Sequence, residues 1–382
     1  MRVRYVQASG GVSVELLDDA DQAFVVVSQF LHHLSARGYS PNTISAYAYD
    51  LLHFMTFLKE QQLTYLDFSP QHAFLFLEYL SMLPSRKRAQ RLSLVLSTTT
   101  DEGTSATRLS GASINRTFAA VSSFYEYLIL SGAFTSRENP IQHVDDSALA
   151  RVAERHRPFM GRASRQRPIR RSVHVKTARR VPRPMDDEQI GKLLASLSLK
   201  RDKAMLVLML HGGLRPGEVL NLQLEDISYA RRRVIIRYRT DHPKGARTKS
   251  RTERMVDLLQ AETLQAVSDY VMHERPSDAT SPYVFLVGGR GKRRDEPLSY
   301  AALVKLFERH CEHLGIRTPW ITPHALRHTH AARMFEGGMR DLTLQKRLGH
   351  ASPESTRIYT DISDATVVAE YRQALQAGEE RK

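Results

Sequence analysis

Residues 321–360 read ITPHALRHTHAARMFEGGMRDLTLQKRLGHASPESTRIYT. His324, Arg327 and His328 stand at i, i+3 and i+4. Thr322 suits an N-cap and Pro323 a first helical residue. A helix starting there puts the three basic side chains on one face near its positive end, where an anion is favoured. A turn, Leu348-Gly349-His350, follows, and Tyr359 comes nine residues later in the run Arg-Ile-Tyr-Thr. Basic donors and one tyrosine, with no carboxylate or metal-ligand set around them, point to a tyrosine attacking a phosphodiester.

A second arginine stands out in His211-Gly-Gly-Leu-Arg-Pro-Gly-Glu218. Arg215 precedes Pro216, so its backbone avoids the helical region while Pro216 starts a short helix. Gly212 and Gly213 let the chain bend sharply before it. The turn fixes one guanidinium in one orientation, as bidentate phosphate binding requires. A structural Arg215–Glu218 pair is the plain alternative. Arg327 offers a second guanidinium, and two arginines can hold the equatorial oxygens of a phosphate in mid-transfer. For His324 and His328 the plain alternative is helix capping or core packing.

Other chemistries fit less well. His324 and His328 have the spacing of a zinc pair, but Ala325 stands where a metalloprotease carries its glutamate, and Arg327 would bring positive charge to the metal. Gly288-Gly-Arg-Gly-Lys292 fails the phosphate-loop pattern because Arg293 follows the lysine. Asp186-Asp187-Glu188 is helix-start chemistry. No carboxylate cluster for Mg²⁺ is visible, so neither metal nor cofactor is expected.

A length of 382 residues allows two or three domains. A net charge of +14 with pI about 9.9 attracts polyanions, nucleic acid first. Residues 151–183 hold twelve Lys/Arg and one acid, Glu154, a local +11 of that +14. Such a block predicts a segment disordered when free that tracks DNA with Arg162, Arg165, Arg167, Arg170, Arg171, Lys176, Arg179 and Arg180. Cys311 is the lone cysteine, so no internal disulfide or cysteine zinc cage is possible. The first residues lack the apolar core of a signal peptide, and the most apolar run, 204–210, is far too short for a membrane span. A soluble, cytoplasmic protein is expected.

Along the chain, residues 1–20 suggest a strand pair around Gly10-Gly11. Phe24, Val27, Phe30, Leu31 and Leu34 mark a first helix ended by Gly38. Ser40-Pro41 opens a second with the stripe Ile44, Tyr47, Leu51, Phe54, Phe57 and Leu58. A third covers 70–82, residues 86–110 read as a loop, and Ser113 caps a fourth carrying Phe118, Val121, Phe124, Tyr125 and Leu128. These aromatic stripes read as core. A second domain starts near Pro184, with helices at 186–197, 202–210, 261–274 and 299–314. Strand 234–238 pairs antiparallel with 254–258, and an apolar run lies at 284–287. The fold class is mostly α with a small antiparallel β-sheet. The expected division is an extension at 1–20, a helical DNA-binding domain at 21–142, a basic linker at 143–183 and a mixed α+β catalytic domain at 184–382.

In order and spacing, Gly-Leu-Arg-Pro-Gly-Glu218, the basic hairpin, His324-Ala-Leu-Arg-His328, Leu348-Gly-His350 and Tyr359 resemble the tyrosine recombinase, or phage integrase, family. The resemblance covers 184–365 closely and 23–140 more loosely, where it implies a helical core-binding domain. It implies that Arg215 and Arg327 bind the scissile phosphate, that His324 and His350 assist proton transfer, and that Tyr359 is the nucleophile. Lys249, five residues before Arg254, matches the hairpin lysine that acts as general acid, with Lys244 next in the same turn. Glu218 and His328 match supporting positions. It further implies double-stranded DNA as partner, a tetramer on two DNA sites, and a monomer or weak dimer when free. The long basic linker, residues 86–110 and the lack of room for an arm-binding domain before residue 20 depart from the pattern.

The chemistry is self-consistent. A free tyrosine has a pKa near ~10, and nearby Arg and His⁺ charge favours its ionised form. Its attack forms a covalent phosphotyrosine and expels a 5′-hydroxyl, so the bond energy is kept and no ATP is needed. Two alternatives share these features: a type IB topoisomerase, which reseals the same strand, and a non-catalytic DNA-binding regulator.

Overall fold

The computed structural model describes residues 1–8, 11–85, 108–134, 138–141, 143–145, 169–177, 183–248 and 252–349. The chain divides into two compact units, Met1–Ala178 and Arg179–Lys382.

The first unit opens with a hairpin of β1 (Arg2–Ala8) and β2 (Gly11–Leu17), the strand pair expected around Gly10. Four helices follow: α1 (Val25–Ala36), α2 (Pro41–Glu60), α3 (Pro70–Met82) and α4 (Gly111–Leu130). Ser40 Oγ accepts the Thr43 N–H at 3.1 Å ahead of Pro41, so α2 starts where its cap residues place it. The cap of α4 is Ser110, whose Oγ accepts the Ser113 N–H at 3.2 Å. Ser113, expected as the cap, is instead inside the first turn. The helix therefore starts at Gly111, ahead of the expected cap.

The stripes named above form one core. Phe54 meets Phe68 and Phe76 edge-on at 5.0 and 5.4 Å between ring centroids, geometry that favours the ring quadrupoles. Tyr125, fully buried, donates its hydroxyl to the Tyr65 carbonyl at 2.7 Å. Asp50 on α2 is also buried, and accepts Arg116 Nε and Nη2 at 2.8 and 2.9 Å and the Thr117 hydroxyl at 2.9 Å. That paired charge fixes α2 against α4.

Part of the expected linker belongs to this unit. β3 (His143–Asp145) pairs antiparallel with β4 (Ile169–Arg171). Val173 is buried in the core, and Val175 exchanges two 2.9 Å hydrogen bonds with the Asn115 side chain on α4. The charge count averaged over 151–183 hid the alternation of Val173 and Val175, which docks this stretch. Residues 146–168 and 178–182 lie outside the described residues, and so do 86–107.

The second unit is built around α6 (Lys200–Gly212), in which Ala204 to Leu210 are all buried. This apolar run sits between α8 (Ala261–His273) and α10 (Pro323–Glu336), as a helix apolar all round must. α5 (Asp187–Ser196) precedes it, capped by Asp186, whose carboxylate accepts the Gln189 N–H at 2.7 Å. α7 (Pro216–Leu220) follows the glycine turn. Then come β5 (Ile227–Ser228), β6 (Arg233–Ile236) and β7 (Arg254–Asp257) in one antiparallel sheet with Val234 opposite Val256. The ladder is shorter than the expected 234–238 with 254–258. Beyond it, Thr248 Oγ1 takes up the backbone of Arg239, accepting its N–H at 3.1 Å and donating to its carbonyl at 3.3 Å. α9 (Tyr300–His313) and α11 (Asp341–Leu348) complete the described unit.

Candidate active site

α7 begins as its sequence requires. Arg215 is extended, φ −72 and ψ 149, and Pro216 is the first helical residue. The Arg215 N–H donates to Glu218 Oε2 and its Nη1 to Oε1, both at 2.8 Å. The plain alternative, a structural pair, is therefore present. It is one arm of a larger cluster.

Glu218 is 1% exposed and receives three guanidinium groups. Arg254, from β7, forks onto both oxygens at 3.0 and 2.7 Å. Arg327, from α10, stands 3.7 Å from Oε2. Burial alone would raise the Glu218 carboxyl. Hydrogen bonds from Arg254 and the charges of Arg254, Arg327 and Arg215 outweigh it and hold the pKa at about 2. Three cations against one anion leave an excess of two positive charges here.

The same three arginines hold the end of α11. Arg254 Nε donates to the Arg347 carbonyl at 3.0 Å, Arg327 Nη2 to that of Leu348 at 2.7 Å, and Arg215 Nη2 to that of Gly349 at 3.1 Å. These are carbonyls that a helix C-terminus leaves without intrahelical partners, at its negative end. Three consecutive carbonyls thus each take a different arginine. Arg327 Nη1 also donates to the Gly213 carbonyl at 2.6 Å, tying the end of α6 to the same point. Gly349 ends α11 with φ +63, and a Cβ there would lie 2.6 Å from Arg254 Nη1. Only glycine fits this approach.

On α10, His324, Arg327 and His328 share a face as expected. Thr322 is the N-cap and Pro323 the first helical residue, although the Thr322 side chain makes no cap hydrogen bond. The face does not carry three charges. Burial, then the neighbouring His324 and Arg327, push His328 down to about 4, so it is neutral at pH 7. Arg327 is 3% exposed and turned into the cluster.

Sequence reasoning missed four residues here. Arg254 served as a register mark only; its signal was a charge two residues before the inward-facing Val256. His330, one helical turn after Arg327, is buried and binds the Leu210 carbonyl through Nδ1 at 2.9 Å. Its Nε2 accepts Arg347 Nε at 3.1 Å, so the neutral ring carries its proton on Nδ1. Arg347 Nη2 continues to the carbonyls of His211 and Asp257 at 3.2 and 3.3 Å. The fourth is Gly349, noted in the sequence only as part of a turn.

Lys244 pairs with Glu296 at 2.6 Å. Lys249, His350 and Tyr359 lie outside the described residues, as do Arg162, Arg165, Arg167, Arg179 and Arg180. Arg170 and Arg171 stand on β4, and Lys176 is exposed. Among the described residues no three His, Cys, Asp or Glu side chains gather to hold a metal, and no helix is long and apolar enough to cross a membrane.

Residues 183–366 match the Phage integrase family, and residues 27–132 match its N-terminal SAM-like domain. The chain belongs to the phage integrase family of tyrosine recombinases. Transposase A from transposon Tn554 of Staphylococcus aureus is 28% identical to this recombinase over 368 residues, covering 96% of this chain and 95% of that one. Tyrosine recombinase XerC of Caldanaerobacter subterraneus is 28% identical over 345 residues, covering 89% and 84%. Among solved structures, the Tn1549 transposon integrase in complex with a circular intermediate DNA superposes with TM-score 0.57 at 18% identity, covering 91% of this chain and 99% of that one. The XerH recombinase bound to its difH substrate in a post-cleavage complex gives TM-score 0.56 at 18% identity, covering 90% and 84%. The fold is shared: a helical N-terminal unit and a mixed catalytic unit. The recombinase is an enzyme that cleaves and rejoins DNA through a tyrosine intermediate. A relaxing topoisomerase and a non-catalytic regulator are not favoured.

Proposed function

We propose that this recombinase moves a mobile element, with Tyr359 as nucleophile and the Arg215–Arg327 cluster as the seat of the scissile phosphate. The observation that carries the reading is the set of three arginines on one buried carboxylate, bonded to the carbonyls of Arg347, Leu348 and Gly349. Two excess positive charges stand in a protein interior, where charge is costly unless compensated. A phosphodiester passing through a pentacoordinate state supplies the compensation, and more of it as charge develops. Leu348 and Gly349 stand at the cluster, and in sequence His350 follows them with Tyr359 nine residues further on. In this reading His324 and His350 assist proton transfer, and Lys249 protonates the departing 5′-oxygen. Glu218 orients Arg215, and His328 supports the site as a neutral ring. The Tn554 relative over nearly the whole chain supports the mobile-element setting.

The partner is duplex DNA, gripped by the helical domain of residues 21–142 and the catalytic domain of residues 184–382. Arg162, Arg165, Arg167, Arg170, Arg171, Lys176, Arg179 and Arg180 contact DNA phosphates in this reading. The working assembly is a tetramer on two sites, formed from monomers or weak dimers, in the cytoplasm. The test is a nicked suicide duplex of the element's terminal sequence, incubated in EDTA. A covalent adduct that maps to Tyr359 by peptide mass spectrometry, and is absent in Tyr359→Phe, is the expected result. An adduct on another residue, or cleavage that needs added Mg²⁺ or Zn²⁺, overturns the assignment.

A further inference from the structure

The geometry points to Arg254 as a positioning residue of this active site, one that keeps Arg215 available to the phosphate by taking both oxygens of Glu218 itself. This deepens the reading above and rests on it.

Glu218 has two oxygens and about four lone-pair directions to share. Arg254 occupies one direction on each, at 3.0 and 2.7 Å, in the forked geometry that an arginine and a carboxylate prefer. Arg215 therefore reaches the carboxylate by its side chain through Nη1 alone, and its Nη2 is left to the Gly349 carbonyl. Every nitrogen of Arg254 is engaged by the protein: Nη1 and Nη2 by Glu218, Nε by the Arg347 carbonyl. Its side chain is 8% exposed against 16% for Arg215. Arg254 is placed to organise and Arg215 to receive.

Without Arg254, Glu218 has one fork empty. Arg215 is the nearest cation able to fill it, since Arg327 is already committed to Gly213 and Leu348. Forking Arg215 onto Glu218 would withdraw Nη2 from Gly349 and turn the guanidinium away from the turn that leads to His350. The carbonyl of Arg347 would also lose its donor. Lysine at this position would retain charge but not the fork.

Three variants test this, with single-turnover cleavage at saturating DNA and DNA affinity measured separately. Arg254→Gln is expected to cleave about a hundredfold more slowly, as misplacement of a reacting group does, with affinity changed less than about threefold. Arg254→Lys is expected to lose at least about tenfold, because the point charge cannot fork. Glu218→Gln combined with Arg254→Gln is expected to cleave at least about tenfold faster than Arg254→Gln alone, since Arg215 is no longer drawn to a bare carboxylate. A merely structural Arg254 would weaken binding and cleavage together as folded protein is lost, and would not give this split. Arg254→Gln or Arg254→Lys cleaving at the wild-type rate overturns the proposal. So does a double variant slower than Arg254→Gln, or a loss confined to DNA affinity. If Arg254→Gln melts below the assay temperature, the same double-variant comparison is made with Arg254→Lys. Wild type and Tyr359→Phe run alongside: an adduct surviving in Tyr359→Phe sinks the nucleophile assignment, while the Arg254 comparison is read against wild type alone.

Discussion

Gly213 and His330 pack so closely that a Cβ on the glycine would lie 2.5 Å from the ring Cδ2 and 3.1 Å from Nε2. Gly213 also sits at φ +64, and its carbonyl receives Arg327. Local conformation, packing and the site therefore meet at one residue. Gly213→Ala is expected to lose about 1–3 kcal/mol of stability from the left-handed backbone alone, with further loss from the clash. Urea denaturation measures it, and cleavage at saturating DNA should fall as Arg327 loses its anchor. An unchanged denaturation midpoint would contradict the packing described.

His330 makes the stability pH-dependent. Burial, then the Arg347 charge, push its pKa from the ordinary 6.5 to about 3. The unfolded chain therefore binds a proton below pH 6.5 that the folded chain refuses, so unfolding is favoured by acid. Stability from the neutral ring is fully present above about pH 6.5 and is lost as pH falls towards 3. His328, at about 4, adds in the same direction. Between pH 7 and 5 the His330 share is about 2 kcal/mol on the two-pKa relation. His330→Gln should be less stable at pH 7 yet lose less on acidification than wild type. A His330 ring signal that titrates near pH 6.5 in the folded protein would refute the neutral assignment.

How far the sequence reached follows from which contacts are local. The caps at Ser40, Asp186 and Thr322, the helix at 70–82 and the extended Arg215 before Pro216 rest on neighbours within a few residues, and all are found. The aromatic stripes were legible as core because period and burial coincide. Arg254 was not legible as part of the site. Its partners lie 36 and 93 residues away, and nothing in its own strand announces them. The docking of Val175 on Asn115, 60 residues apart, was hidden in the same way beneath the charge of its segment. His328 was read as a cation because sequence shows residue type and not desolvation.

DNA binding should be strongly salt-dependent. Residues 151–183 carry twelve of the 55 Lys/Arg of the chain, and phosphate contacts release condensed counterions. Neutralising Arg162, Arg165, Arg167 and Arg180 to Gln should flatten the slope of log K against log salt by roughly three to four units, at ~0.9 per contact. Fluorescence anisotropy over a salt series measures it. An identical slope would reduce this segment to a spacer.

Lys249 and Lys244 can be told apart as general acid. A general acid must reach the departing oxygen within hydrogen-bond distance, and it must have its proton to give. Lys244 is already engaged: its Nζ pairs with Glu296 at 2.6 Å, and Glu296 also takes Arg293 at 3.0 Å. Freeing Lys244 would leave Arg293 as the remaining partner of that carboxylate. Lys249 stands five residues before Arg254, whose strand is fixed to Glu218 and to the end of α11. The second strand therefore offers the better-anchored base for the reacting group. A substrate whose bridging 5′-oxygen is sulfur decides the matter, because a thiolate departs without a proton. Lys249→Ala should cleave ordinary DNA at least about a hundredfold more slowly than wild type and the sulfur substrate nearly as fast. Lys244→Ala should show a modest binding defect on both substrates and no selective rescue. Rescue of Lys244→Ala instead would shift the role to the Glu296-paired lysine, and rescue of neither would pass it to His350.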